Sequence, residues 1–178
     1  LNALKNHLTS LQKRQKQINL LIETVHKTIL NEEGAITMSD KEKFEGFKQQ
    51  LIDENEQKYG EEIREKYGNQ TVDESNAKMM NLTKEEYDKM QTLAADIIER
   101  LVTSVTSKED PNGETGLAIA AMHKEWLSFS WPQYSAEAHA GLAQMYVDDE
   151  RFTAYYDKTV TGCAEFLRDA VKAMTGNE

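Results

Sequence analysis

The chain has 178 residues, enough for one ordinary domain or a domain with an appended element, and its 39% hydrophobic content is lean but compatible with a folded core. A formal charge of −10 excludes the body of the protein as a nucleic-acid surface, because it repels phosphate; residues 1–30 are the exception, at +4 against −14 for the remainder. One cysteine, Cys163, excludes an internal disulfide framework, and the apolar runs are too short for a bilayer or a signal peptide, so a soluble, cytoplasmic protein without membrane contact is expected.

Leu1, Leu4, Leu8, Leu11, Gln15, Ile18, Ile22, Val25 and Ile29 recur at alternating steps of three and four. A strict 3.5-residue period predicts a coiled-coil seam, and a helix apolar on one narrow stripe needs a partner helix, most simply a second copy. Packing of the helix on its own domain is the alternative. Gln15 interrupts the seam, where a polar group lowers stability and fixes register. Because Leu1 already stands in the pattern and no initiating Met precedes it, the chain reads as the C-terminal part of something longer.

"NEEGAITMS", residues 31–39, breaks this helix at Gly34 and acts as a linker. Ser39 and Glu42 form a capping box that starts a second helix carrying Phe44, Phe47 and Leu51 on one face. In the charge-rich stretch that follows, Tyr59, Ile63 and Tyr67 are nearly the only large apolar groups. Such composition buries little surface, so the stretch is either a mobile flap that closes on something apolar or a marginal pair of surface helices. The expected division is therefore 1–30 for dimerisation, 31–80 for linker and flap, and 81–178 for the core.

Thr83 and Glu86 make a second capping box, and Tyr87, Met90, Leu93, Ala94, Ile97, Ile98, Leu101 and Val105 give a long amphipathic helix. "SKEDPNGETG" ends it with turn residues whose spacing is not that of a calcium loop. Helices are predicted from about Thr115 to Ser128, after Ser135, after Asp148 or Asp149, and across Cys163 to Met174; no stretch alternates long enough for a strand. The fold class is all-α.

Motifs for catalysis are absent: there is no nucleophile elbow, phosphate loop or dinucleotide fingerprint, and Cys163 falls in helical register with Phe166, Leu167 and Ala170, as a core residue does. An enzyme is not expected. Glu23 and His26 make one Glu-x-x-His pair where a di-iron site needs two, and His123 and His139 stand alone on helices flanking an aromatic stretch. Neither a metal nor a cofactor is expected, although His123 in an apolar cleft is the one residue placed to ligate haem.

"WLSFSWPQYS", Trp126 to Ser135, holds both tryptophans. Trp126, Phe129, Trp131 and Tyr134 cannot share one helix face, and Pro132 stops the helix among them, so some line a junction between helices. They either plug the core or wall a pocket for a bulky apolar ligand.

"EEIREKYGNQTVDESNAKMMNLTKEEYDKM", "HKEWLSFSWPQYSAEAHAGLAQMYVDDERFTAYYDK" and "GCAEFLRDAV" resemble the TipAS antibiotic-recognition domain, the effector module of TipA-like members of the MerR family of transcription activators. The helix before them resembles the dimerising helix that joins a MerR winged-helix head to its effector. The resemblance implies a globin-like helical domain without haem, a cleft for thiopeptides such as thiostrepton or other hydrophobic drugs, and an N-terminal segment that orders over the ligand. It also implies a homodimer through an antiparallel coiled coil, with DNA contacted only by an N-terminal domain outside this chain. On that basis His123, Trp126, Phe129, Trp131, Tyr134 and Tyr146 are the expected cleft residues, and Leu51, Tyr59, Ile63 and Tyr67 the flap contacts. The cysteine that the thiopeptide-binding prototype uses for covalent capture, just after the aromatic-proline stretch, is missing here: Tyr134 stands near that place. Reversible binding is therefore expected. A purely structural dimerising module is the other reading.

Overall fold

The computed structural model describes residues 2–34 and 39–176. Among them are eight helices and no strand: α1 Asn2–Glu32, α2 Asp40–Tyr67, α3 Asn69–Asn81, α4 Lys84–Thr106, α5 Glu114–Ser128, α6 Ala136–Asp148, α7 Glu150–Tyr156 and α8 Cys163–Thr175. The chain divides into two compact units, Leu1–Asn69 and Gln70–Glu178. The boundary between the units falls in the first turn of α3, just past the end of α2, which runs as one helix through the charged stretch and stops at Gly68, whose φ of +83° a side chain would strain.

In the first unit, the expected seam of α1 is a solvent-facing stripe: Leu4, Leu8, Leu11, Ile18, Ile22, Val25 and Ile29 are each 48–70% exposed, with Gln15 exposed between them. Leu1 and linker residues 35–38 lie outside the described residues. A different side of α1 meets α2. A Cβ on Gly46 would come within 2.8 Å of Thr24 Cγ2, so glycine there permits the approach, and Lys27 reaches Glu42 at 3.8 Å.

The helix α2 starts as its capping box predicts: Glu42 N donates to Ser39 Oγ at 3.3 Å while Ser39 N donates to Glu42 Oε2 at 3.0 Å. These bonds to Ser39 hold the Glu42 carboxyl below the usual carboxylate range. Pairing along the helix organises the charge-rich part. Gln49 donates to Asp53 and Gln50 to Glu54, and the Arg64 guanidinium reaches back two turns to Glu56, at 3.0 and 2.5 Å. Gly60 lies beneath that bridge, where a Cβ would stand 2.5 Å from Glu56 Oε2.

The second unit is built around α8, which packs on α5 and α6 and, less extensively, on α4 and α7. Its buried face is Cys163, Ala164, Phe166, Leu167, Ala170 and Val171. Ile97 and Leu101 of α4, Ile119 and Ala120 of α5 and Ala143 of α6 complete the core, each large apolar side chain contributing roughly 1.5–3 kcal/mol by leaving water. The Thr83–Glu86 capping box starts α4. Asp149 proves to be the cap of α7, its carboxylate accepting from Arg151 N at 2.9 Å. Before α8, Gly162 turns the chain at φ +102°, and Asp157 accepts from Gly162 N and Ala164 N, both at 2.9 Å, satisfying donors that open the helix. No helix among the described residues is long and apolar enough to cross a membrane.

Candidate functional site

Local rules bring the aromatic stretch to the junction of α5 and α6. The end of α5 tightens as Ser130 N and Trp131 N both donate to the Leu127 carbonyl, at 3.1 and 2.8 Å, and Pro132 forbids another turn. Ser135 then caps α6, accepting from Ala138 N at 3.2 Å. Helical spacing sets the rest: Trp126 follows His123 by one turn on α5, and Tyr146 follows His139 by two turns on α6.

Two buried histidines form the hub. His123 is 1% exposed and His139 fully buried; His123 Nδ1 lies 2.7 Å from His139 Nε2. The rings are 21° from parallel with centroids 4.9 Å apart, so with facing nitrogens this close they meet edge to edge, in the geometry of a hydrogen bond. The outer nitrogens also have partners: the Tyr134 hydroxyl stands 3.2 Å from His139 Nδ1, and the Tyr146 hydroxyl 3.5 Å from His123 Nε2. Counting donors gives two consistent arrangements of a four-residue chain. Protons point from Tyr134 through both imidazoles to Tyr146, or all point the other way, and in both the imidazoles are neutral.

Burial enforces that neutrality at His123. His123 is pushed down to about 3, first because burial disfavours the imidazolium and then by repulsion from His139. At the far end Tyr146 packs on Tyr156, centroids 4.8 Å apart, and on Phe152 at 5.7 Å. The Tyr156 phenol is pushed well above the usual tyrosine range by burial and then by Tyr146.

Around this hub the larger rings remain half-buried. Trp126 stacks on His123 at 5.5 Å, and Trp131 and Tyr134 present edges to His139 at 6.5 and 5.6 Å. Phe129 is also half-buried but stands apart from the histidines. Three lysines approach the same stretch: Lys78 of α3 donates to the Trp131 carbonyl at 2.7 Å, Lys124 of α5 lies 4.1 Å above the Tyr134 ring, and Lys89 of α4 lies 6.0 Å from the Phe129 ring while pairing with Glu125 at 2.8 Å.

Five of the six expected cleft residues, His123, Trp126, Trp131, Tyr134 and Tyr146, therefore converge, and His139, outside the expected set, joins them. The signal for His139 was the Ser135 cap, which fixes it on the same α6 face as Tyr146. Lys78 had no such signal, since it is 53 positions from the carbonyl it holds. Leu51, Tyr59 and Ile63 are half-buried and Tyr67 exposed on α2, in the first unit.

Cys163 is fully buried, and its thiol is pushed up by burial and then by Asp157, which suppresses the thiolate a covalent capture needs. Both nitrogens of His123 are engaged, so haem ligation would require breaking the chain. Among the described residues no three His, Cys, Asp or Glu side chains are grouped to hold a metal. An open depression on α1 lined by Asn19, Ile22, Glu23, His26 and Lys27 comes from one helix alone and lacks convergent groups.

Comparison with known proteins gives concordant matches. Residues 59–174 match the family model described as the TipAS antibiotic-recognition domain. The chain is 25% identical over 169 residues to the HTH-type transcriptional activator mta of Bacillus subtilis, covering 95% of this chain and 65% of that protein. It is 32% identical over 139 residues to the HTH-type transcriptional activator TipA of Streptomyces coelicolor, covering 78% and 53% respectively. With the HTH-type transcriptional regulator SkgA of Caulobacter vibrioides the identity is 27% over 176 residues, covering 97% and 68%. The chain thus spans between about half and two thirds of the length of these relatives. Among solved structures, TipAS of Streptomyces lividans in complex with nosiheptide, described as part of a thiopeptide antibiotic multidrug resistance system, superposes with a TM-score of 0.60 at 31% identity, covering 80% of this chain and 97% of that one.

Proposed function

The chain belongs to the TipAS antibiotic-recognition domain family, and from that premise we propose that it is the effector-sensing part of a MerR-type transcription activator, binding bulky hydrophobic drugs or thiopeptide antibiotics without catalysis. The observation that carries the reading is the aromatic stretch. Trp126, Phe129, Trp131 and Tyr134 stand half-buried together at the junction of α5 and α6, and large rings left partly in water beside a buried hub are what a bulky apolar ligand needs.

Signal leaves through α1. Its exposed stripe pairs with a second copy as an antiparallel coiled coil, and the DNA heads that the HTH-type relatives are named for respond, in the cytoplasm, to the change in that dimer. A ligand shifts this equilibrium only by binding one state better than the other. Leu51, Tyr59, Ile63 and Tyr67 remain ligand contacts on the strength of the sequence, tested by deleting 40–68.

Calorimetric titration with nosiheptide tests the site. Trp126→Ala or Trp131→Ala is expected to weaken binding by on the order of 2 kcal/mol, about thirtyfold, as for a central aromatic anchor. Unchanged binding by a folded variant removes the ring from the site. A purely structural dimerising module predicts no heat with any ligand while the dimer persists.

A further inference from the structure

The two tryptophans are anchored in different ways. Trp126 sits inside α5, where the helix fixes its backbone, and its ring stacks on His123 at 5.5 Å, 25° from parallel. Trp131 lies past the end of α5 and meets His139 by a ring edge, at 6.5 Å and 81°. Half-buried and outside a helix, this indole takes its direction from its backbone. Two bonds straddle its Cα: Trp131 N donates to the Leu127 carbonyl at 2.8 Å, and Lys78 Nζ donates to the Trp131 carbonyl at 2.7 Å. With the amide pinned, rotation about N–Cα swings the indole and the carbonyl together, so the indole turns only as the carbonyl leaves Lys78. A cation suits the place. Lys78 stands in the last turn of α3 and reaches a carbonyl just beyond the end of α5, so its charge lies at the negative ends of two helices.

We propose that Lys78 is a positioning residue for the ligand site: by holding the Trp131 carbonyl it aims the Trp131 indole at the bound molecule. The inference rests on the ligand-binding reading above and deepens it. Lys78 acts through Trp131 and needs no contact of its own with the ligand. Its effect on binding therefore vanishes when that indole is removed and persists when Trp126 is removed. A lysine that merely stabilised the fold would weaken binding alike in every background.

Nosiheptide titrations arranged as a double-mutant cycle test this. Lys78→Met keeps the stem and removes the ammonium. It is expected to weaken binding about tenfold in the wild-type and Trp126→Ala backgrounds, and by under about twofold in Trp131→Ala. Lys78→Arg, which restores a cationic donor, is expected to recover most of the loss. A second measurement needs no ligand. Trp126→Phe leaves Trp131 as the sole tryptophan, and there Lys78→Met is expected to enlarge the fast nanosecond component of the fluorescence anisotropy decay. In Trp131→Phe the Trp126 decay is expected to be indifferent to Lys78→Met. No weakening of binding, or equal weakening in all three backgrounds, overturns the proposal, as does a Trp131 decay that Lys78→Met leaves unchanged in a chain folded by circular dichroism. If nosiheptide does not bind the wild-type chain, the ligand-binding reading falls, and the anisotropy decay alone decides whether Lys78 positions Trp131.

Discussion

His123 Nδ1 and His139 Nε2 face each other at 2.7 Å in the closed interior of the second unit, one ring from α5 and one from α6. That contact ties the helices on either side of the Pro132 turn and gives the aromatic stretch a rigid back wall. Its energetics depend on charge, because a neutral pair completes the tyrosine–histidine chain whereas an imidazolium at His123 must be desolvated beside a second ring.

Acid should therefore loosen this unit. In the unfolded chain His123 takes up a proton near 6.5, and in the folded chain only near 3, so between these values the unfolded state holds more protons and stability falls as pH falls. This group removes up to about 1.4 kcal/mol per pH unit below 6.5 and nothing at pH 7 or above. His123→Gln, which bonds without charging, should flatten the dependence. Urea unfolding at pH 7.5, 6.5 and 5.5 checks it; equal slopes for the two proteins contradict it.

Two helical glycines should respond oppositely to alanine. At Gly116 of α5 a Cβ would overlap the backbone carbonyl of Pro111, so Gly116→Ala should destabilise by about 1–3 kcal/mol. At Gly141 of α6 a Cβ meets nothing within 4 Å, and Gly141→Ala should stabilise by about 0.5–1 kcal/mol. Thermal melts of the pair separate the effects.

Much of the helical layout was legible because it rests on local chemistry. The Ser39–Glu42 and Thr83–Glu86 boxes, the stop at Pro132 and the Ser135 cap each depend on residues within a turn of one another. The continuity of α2 through the charge-rich stretch was only half legible, since low hydrophobicity left both a mobile flap and a marginal pair of surface helices open, whereas pairs such as Arg64–Glu56 hold it as one helix. The convergence of His123 and Trp126 could be read from spacing. The His123–His139 bond and the reach of Lys78 to Trp131 could not, because they join elements whose approach is set by packing on α8.

Asp157 is a single-residue brace for the start of α8. Asp157→Ala leaves the Gly162 and Ala164 amides without their acceptor and should cost about 1–3 kcal/mol in chemical denaturation. An unchanged midpoint would mean that water replaces the carboxylate at no loss.

Ile22→Glu places a charge in the middle of the α1 stripe, where a coiled-coil partner would bury it. Sedimentation equilibrium should show a dimeric wild type and a largely monomeric variant with unchanged helix content. A monomeric wild type would refute the proposed pairing.

The central claim is that the aromatic stretch receives a thiopeptide-sized ligand, and the most direct measurement is a titration of intrinsic tryptophan fluorescence with thiostrepton. Trp126 and Trp131, the two tryptophans of the chain, flank the histidine hub, so saturable quenching with a defined stoichiometry is the expected result. A fluorescence signal that thiostrepton leaves unchanged to its solubility limit would contradict the account.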